Sequence, residues 1–130
     1  MIIMGFITVA LIIGVAAAIT AGTVKVISTF WKKIVTWTTK CIETAKKVLK
    51  IVPVGVKTLI KKFEEGFKEI VEHYSKLSGN RYRRDTIITK EIIPSNEVPD
   101  DIKSKAFAMR IGESTDISSE CNRELLVLNQ

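Results

Sequence analysis

The first 24 residues of the chain contain no ionisable side chain. As a single α-helix they would extend about 36 Å, against a bilayer hydrocarbon core of about 30 Å. The apolar run is longer than that of a secretory signal peptide, and no basic residue precedes it. A chain of 130 residues cannot enclose an all-apolar helix by itself. We therefore predict a retained transmembrane helix over residues 1–24.

The first charged residues follow this run and are lysines. By the positive-inside rule they place the N-terminus outside the membrane and the C-terminal portion in the cytoplasm. Lysines and tryptophans just beyond a span are typical of the membrane interface, where they contact anionic lipid. The residues expected there are Lys25, Trp31, Lys32, Lys33, Trp37 and Lys40.

Small side chains recur every four residues in the apolar run, at Ala10, Gly14, Ala18 and Gly22. This spacing places them on one side of a helix and lets two backbones approach closely, which is a main source of helix association in lipid. We expect copies of the chain to associate through this ridge.

Residues 25–78 carry the strongest hydrophobic periodicity in the chain. At 100° per residue the apolar side chains fall on one broad face and most lysines on the other, which predicts a long basic amphipathic helix. Pro53 predicts a kink, with a tight hairpin at residues 53–55 as the alternative, and Gly79 is a natural helix cap. The expected packing face consists of Ile27, Ile34, Val48, Val52, Val56, Leu59, Phe63, Phe67, Ile70 and Tyr74.

Residues 79–130 form a polar tail of mixed composition. The β-branched residues of Arg84–Ile93 predict one short strand, and short helices are expected from Pro99 and from Ser118, the latter as an N-cap. The tail is too small to fold alone and should dock on the long helix or on a neighbouring copy. The expected fold class is therefore mainly α and oligomeric, with a transmembrane helix, a long kinked amphipathic helix and a small α+β tail.

The sequence offers little for catalysis, a cofactor or a metal. His73 is the only histidine, and Cys41 and Cys121 match no zinc or disulfide pattern. We expect a protein that is not an enzyme, with no catalytic, cofactor-binding or metal-binding residues. Nucleic acid is an unlikely partner, because the sequence shows no helix-turn-helix, no zinc ligands and no exposed platform of aromatic residues and arginines.

The function expected from these features is a small single-pass membrane protein that self-associates into a holin-like pore or a scaffold. One alternative is a soluble homo-oligomer or filament with the apolar N-terminal helices at its centre. Another is a bitopic adaptor that recruits a cytosolic protein through residues 79–130. Each of these three functions requires a protein partner, which is either a second copy of the chain or a cytosolic protein.

Overall fold

The structure, a computed structural model, describes residues 7, 9–22, 27–51, 53–76 and 81–128. Within these residues lie four α-helices and four strands. They are, in chain order, α1 (Val9–Ala21), α2 (Thr29–Thr44), β1 (Gly55–Phe63), β2 (Gly66–Lys76), β3 (Tyr82–Ile88), α3 (Asp100–Ala108), β4 (Ser114–Asp116) and α4 (Ser118–Leu128). A π-helical turn (Ala45–Leu49) extends α2, and a 3-10 turn (Ser95–Glu97) precedes α3.

The strands form one antiparallel sheet in the order β3-β2-β1-β4. A two-residue turn joins β1 to β2, since Phe63 pairs with Gly66. Gly66 has a φ of 150°, and a Cβ there would lie 2.3 Å from the carbonyl oxygen of Ile93. Only glycine fits this site, because Phe67 and Ile93 exchange two backbone hydrogen bonds of 2.9 and 2.6 Å beside it.

The helices pack on one face of the sheet. The Thr38 hydroxyl of α2 donates to Glu69 on β2, and the Phe107 ring of α3 lies 6.4 Å from the Phe67 ring of β2. α4 packs on β1, and α1 packs on α2 and α4. The core therefore lies between the sheet and its helices, and α1 completes it from the side of α2 and α4. Its members include Ile12, Ile34, Ile60, Val71, Ile102 and Leu125.

The predicted transmembrane helix is wrong. α1 has 13 residues, about 20 Å at 1.5 Å per residue, and Gly22 with φ of 75° follows its last turn in the left-handed conformation that ends helices. A second helix then begins after Ser28, whose hydroxyl caps it by accepting from the Trp31 N–H at 3.3 Å. None of the helices in the described residues is long and apolar enough to cross a membrane.

The long kinked helix predicted for residues 25–78 is also wrong. α2 ends at Thr44, and Lys50 adopts a left-handed φ of 58° that ends the π-helical turn. The chain beyond Pro53 forms β1 and β2 instead of continuing as a helix. The fold is thus α+β with a four-stranded sheet, neither mainly α nor all-α.

The tail and the middle of the chain share this sheet. β3 pairs with β2 along its whole length, and β4 pairs with β1. The helix expected from Pro99 begins at Asp100, and that expected from Ser118 begins at Ser118. Three residues of the sequence predictions, Lys25, Val52 and Gly79, lie outside the described residues.

Candidate functional site

Among the described residues, helices cover one face of the sheet and leave the other face open. Alternate side chains of β1 and β2 point towards the helices, and those at Val56, Ile60, Phe67, Val71 and His73 are all at most 1% exposed. The other set is partly or fully exposed apart from Ile70. We call this set the outer face; on β1, β2 and β3 it consists of Lys57, Leu59, Lys61, Phe63, Lys68, Ile70, Glu72, Tyr74, Lys76, Tyr82, Arg84, Thr86 and Ile88.

The outer face is strongly basic. Glu72 is its only carboxylate on β1, β2 and β3, and β4 adds Asp116, which accepts a hydrogen bond of 2.8 Å from the Ser118 N–H at the start of α4. An anionic partner would therefore meet a surface with more positive than negative charge. The cations on this face are Lys57, Lys61, Lys68, Lys76 and Arg84.

Two of these lysines face each other across the β1–β2 pair. Lys61 lies directly opposite Lys68, an arrangement of like charges that is unfavourable in a sheet. Their ammonium groups lie 5.7 and 5.1 Å from the centre of the Phe63 ring, so the ring face offsets part of the repulsion. An anion bound between them would remove the rest, which makes this end of the outer face a candidate anion site.

Tyrosines and an arginine occupy the other end of the outer face. Arg84 lies opposite Tyr74, and Tyr82 lies opposite Lys76. The Tyr74 hydroxyl donates to Glu72 at 2.9 Å. Burial, and after it the neighbouring Glu72 carboxylate, raises the pKa of Tyr74. The Lys57 ammonium lies 5.9 Å from the Tyr74 ring centre, whereas Tyr82 is 50% exposed. Tyr82 thus presents an aromatic ring to solvent among positive charges.

Beneath the sheet, Glu69 forms a buried polar centre. Its Oε2 accepts hydrogen bonds from the Thr38 hydroxyl at 2.8 Å and the Thr58 hydroxyl at 3.0 Å. Burial raises the pKa of Glu69 well above its ordinary value, although both hydroxyls favour the ionised form. Burial, and after it the charge of Glu69, raises the pKa of the Cys41 thiol to about 12. The same two causes raise the pKa of Cys121. These thiols are therefore unreactive in the folded protein.

A pocket of about 350 Å³ opens from Glu69 between α2 and β3. Its walls include Trp37, Ile87 and Ile93, and Lys33 at its rim forms a 2.9 Å ion pair with Glu97. The Trp37 Nε1 is buried and has no hydrogen-bond partner among the described residues. The pocket falls at the small end of the range for ligand sites, and its polar groups carry both signs of charge, so they select no ligand class.

His73 is a buried histidine of β2. It lies on the covered face opposite Asp85, yet neither ring nitrogen has a hydrogen-bond partner in the described part of the chain. Burial lowers its pKa, while the charge of Asp85 opposes the shift. No group of three or more His, Cys, Asp and Glu side chains among the described residues could hold a metal ion.

The predicted association ridge lies on α1 and just after it. Ala10, Gly14 and Gly22 are exposed and Ala18 is half-buried, so the small residues face away from the core, which holds Ile12 and Val15.

The residues predicted for the membrane interface are divided between core and surface of α2. Trp31 is 2% exposed and its ring makes an edge contact with Phe30, so it belongs to the core. Trp37 and Lys33 are half-buried at the pocket, and Lys32 and Lys40 are exposed.

The predicted packing face is divided between the two faces of the sheet and two helical segments. Its members are Ile27 and Ile34 before and within α2, Val48 in the π-helical turn, Val56 and Phe67 on the covered face, and Leu59, Phe63, Ile70 and Tyr74 on the outer face. Ile34 is fully buried, while Val48 is 70% exposed.

From the sequence, Lys57, Lys61, Lys68 and Lys76 fall on the polar side of a predicted helix, so the outer-face residues do not form a group there. Spacings of four residues fit that side of a helix, but they also fit one side of a strand. The signal that could have separated a helix from strands was the position of Gly55 and Gly66, at the starts of the two segments that form β1 and β2.

No protein-family model, curated protein or solved structure matches this chain.

Proposed function

We propose that the protein is a binding module, not an enzyme, and that its outer face binds single-stranded nucleic acid. The observation that carries this proposal is the opposition of Lys61 and Lys68 on an open, basic sheet face that also presents Tyr82. From the sequence, nucleic acid is an unlikely partner, in part because no exposed platform of aromatic residues and arginines is evident. That platform arises only when β1, β2 and β3 lie side by side.

The positive charges are spaced along the strands in a way that suits a phosphate backbone. Lys68 and Lys76 are separated by about 26 Å along β2, at 3.3 Å per residue, which is long enough for several nucleotides. Neutralising phosphates releases counterions and supplies most of the affinity of such surfaces. A phosphate between Lys61 and Lys68 is favourable for two reasons, because it attracts both cations and also removes their mutual repulsion.

The aromatic residue favours single strands over a duplex. Bases of a single strand can stack on an exposed ring, and each such contact contributes about 1–3 kcal/mol. Tyr82 is half exposed and flanked by Arg84 and Lys76, so a stacked base would have cations for its phosphates nearby. A duplex keeps its bases stacked on each other and would use the charges alone.

The test is fluorescence anisotropy with a labelled 12-nucleotide single strand and the matching duplex. We expect the single strand to bind more tightly, with a slope of log affinity against log salt of about −3 for four phosphate contacts. Lys61→Glu with Lys68→Glu should lower the affinity about tenfold or more, and Tyr82→Ala should lower it by about 5- to 150-fold.

A charge-matched control separates this site from general attraction to a basic protein. Lys46→Glu with Lys47→Glu makes the same change in net charge on the exposed π-helical turn. Equal losses for the two double variants would overturn the proposal. So would binding to vesicles of anionic lipid, but not to the single strand, with the same dependence on Lys61 and Lys68, because the outer face would then be a membrane-surface site.

A further inference from the structure

The sheet has one long open edge, formed by β3. β3 is the outermost strand, seven residues long, whereas the opposite edge is the three-residue β4. In the described residues, the backbone of β3 hydrogen-bonds only to β2. An unprotected edge of this length is a template for another strand.

The backbone groups that face outward can be assigned from the register. The Thr89 N–H donates to the Glu69 carbonyl at 3.0 Å, so the pair that they form is a hydrogen-bonded one. Since such pairs alternate along an antiparallel ladder, the residues of β3 at odd positions bond to β2. The N–H and C=O groups of Tyr82, Arg84, Thr86 and Ile88 therefore point away from the sheet.

The side chains along this edge complement those of the same edge in a second copy of the chain. Tyr82 and Ile88 are its two large exposed apolar residues, 50% and 48% exposed, and they lie three positions on either side of Asp85. When two such strands pair antiparallel about a two-fold axis at Asp85, each Tyr82 lies opposite an Ile88, and each Arg84 lies opposite a Thr86. This register uses all four outward-facing residues and covers both apolar side chains.

Other registers are less favourable. An axis at Arg84 places two arginines directly opposite each other, and an axis at Thr86 leaves Tyr82 without an apolar neighbour. The axis at Asp85 does bring two carboxylates together on the covered side. Each of them already forms an ion pair of 3.1 Å with Arg83 of its own chain, which compensates its charge.

We infer that β3 pairs with β3 of a second copy of this chain, with the two-fold axis at Asp85, to give a symmetric dimer with one continuous eight-stranded sheet. Such an isologous contact closes on itself and leaves no further copy of β3 to pair. The dimer joins the two outer faces on the same side of the sheet. The inference does not rest on the proposed nucleic-acid binding, because backbone groups of the β3 edge make the contact, but the two share Tyr82, whose side chain packs beside Ile88 of the second copy in the dimer.

The first test is the mass of the protein in solution, by size exclusion with light scattering and without nucleic acid. We expect twice the 14.5 kDa of one chain. Thr86→Pro removes an outward N–H that a monomer does not use, so it should give a folded monomer, while Thr86→Val should remain a dimer. A monomeric wild-type protein, or a dimer that Thr86→Pro leaves intact, would overturn the inference.

A disulfide test fixes the register and does not depend on a disruptive variant. Opposed residues of a hydrogen-bonded pair have Cα atoms about 5.5 Å apart, within reach of a disulfide. The double variant Tyr82→Cys with Ile88→Cys should therefore form a covalent dimer on mild oxidation, and either single variant should not. An equally rapid dimer from a single variant, or none from the double variant, would contradict the axis at Asp85.

Discussion

At the scale of single residues, Glu69 shows how the fold accommodates a carboxyl group in its core. It is 2% exposed, and two threonine hydroxyls, from α2 and β1, donate to the same oxygen. Burial of a charge without a cation is unfavourable by several kcal/mol, so the group keeps its proton instead. Thr38 and Thr58 thereby tie α2 to the sheet through Glu69.

Glu69→Gln should change how stability depends on pH. Glu69 stays protonated when folded at pH values at which the unfolded chain, with a carboxyl pKa of about 4.3, releases the proton. The wild-type protein therefore loses stability as the pH rises from there to the raised pKa of the folded state. The loss is at most about 1.4 kcal/mol per pH unit. Glutamine has no proton to release, so urea unfolding should show the variant gaining on the wild type between pH 5 and pH 8.

Glu64→Gln is the matched control, because Glu64 is exposed on the β1–β2 turn. Its stability should follow that of the wild type at every pH. His73 is present in all three proteins, so its titration cancels from the comparison. If wild type and Glu69→Gln gave parallel curves, Glu69 would ionise in the folded protein and the assignment of a neutral carboxyl would be wrong.

At the scale of secondary-structure elements, the error over residues 55–76 has a physical origin. The covered face of β1 and β2 includes the polar residues Thr58, Glu69, His73 and Ser75, whereas the outer face includes apolar Leu59 and Ile70. Apolar residues on both faces and polar ones inside hide the two-residue period. The remaining apolar positions happen to follow a period near 3.6, which predicts a helix.

Local sequence signals predicted the starts of the helices α3 and α4 better than hydrophobic periodicity predicted β1 and β2. The helix expected from Pro99 begins at Asp100, since proline and two acidic residues favour a helix start whatever packs above it. Ser118 also stands at a helix start, but its hydroxyl hydrogen-bonds the backbone of Thr58, and Asp116 accepts its N–H. The outer face could not be predicted, because it depends on which strands are neighbours.

Phe67→Ala and Phe63→Ala distinguish the hairpin from the helix that the periodicity predicts. On the helix both rings share one buried face, but in the sheet Phe67 is fully buried against α3 while Phe63 is half-buried on the outer face. We expect Phe67→Ala to lower the free energy of unfolding by about 3–5 kcal/mol. Phe63→Ala should lower it by much less, as measured by urea denaturation. Equal losses would contradict the strand assignment.

At the scale of the whole molecule, a single core joins segments that are far apart in the chain. Cys41 on α2 and Cys121 on α4 are 3% and 0% exposed and belong to the same hydrophobic cluster. α1 contacts both of these helices, and the sheet lies below them. Among the described residues, the buried cluster is therefore continuous from α1 through α2 and α4 to the sheet.

Thiol labelling measures whether the molecule opens as one unit. Only a thiolate reacts, and burial both shields Cys41 and Cys121 and raises their pKa values. Labelling under native conditions then requires unfolding, so mass spectrometry of the two peptides should give the same slow rate for both cysteines. Ser119→Cys, at an exposed position of α4, should react faster by several orders of magnitude. A Cys121 that reacts much faster than Cys41 would mean that α4 detaches while α2 stays on the sheet, and the core would then consist of two units.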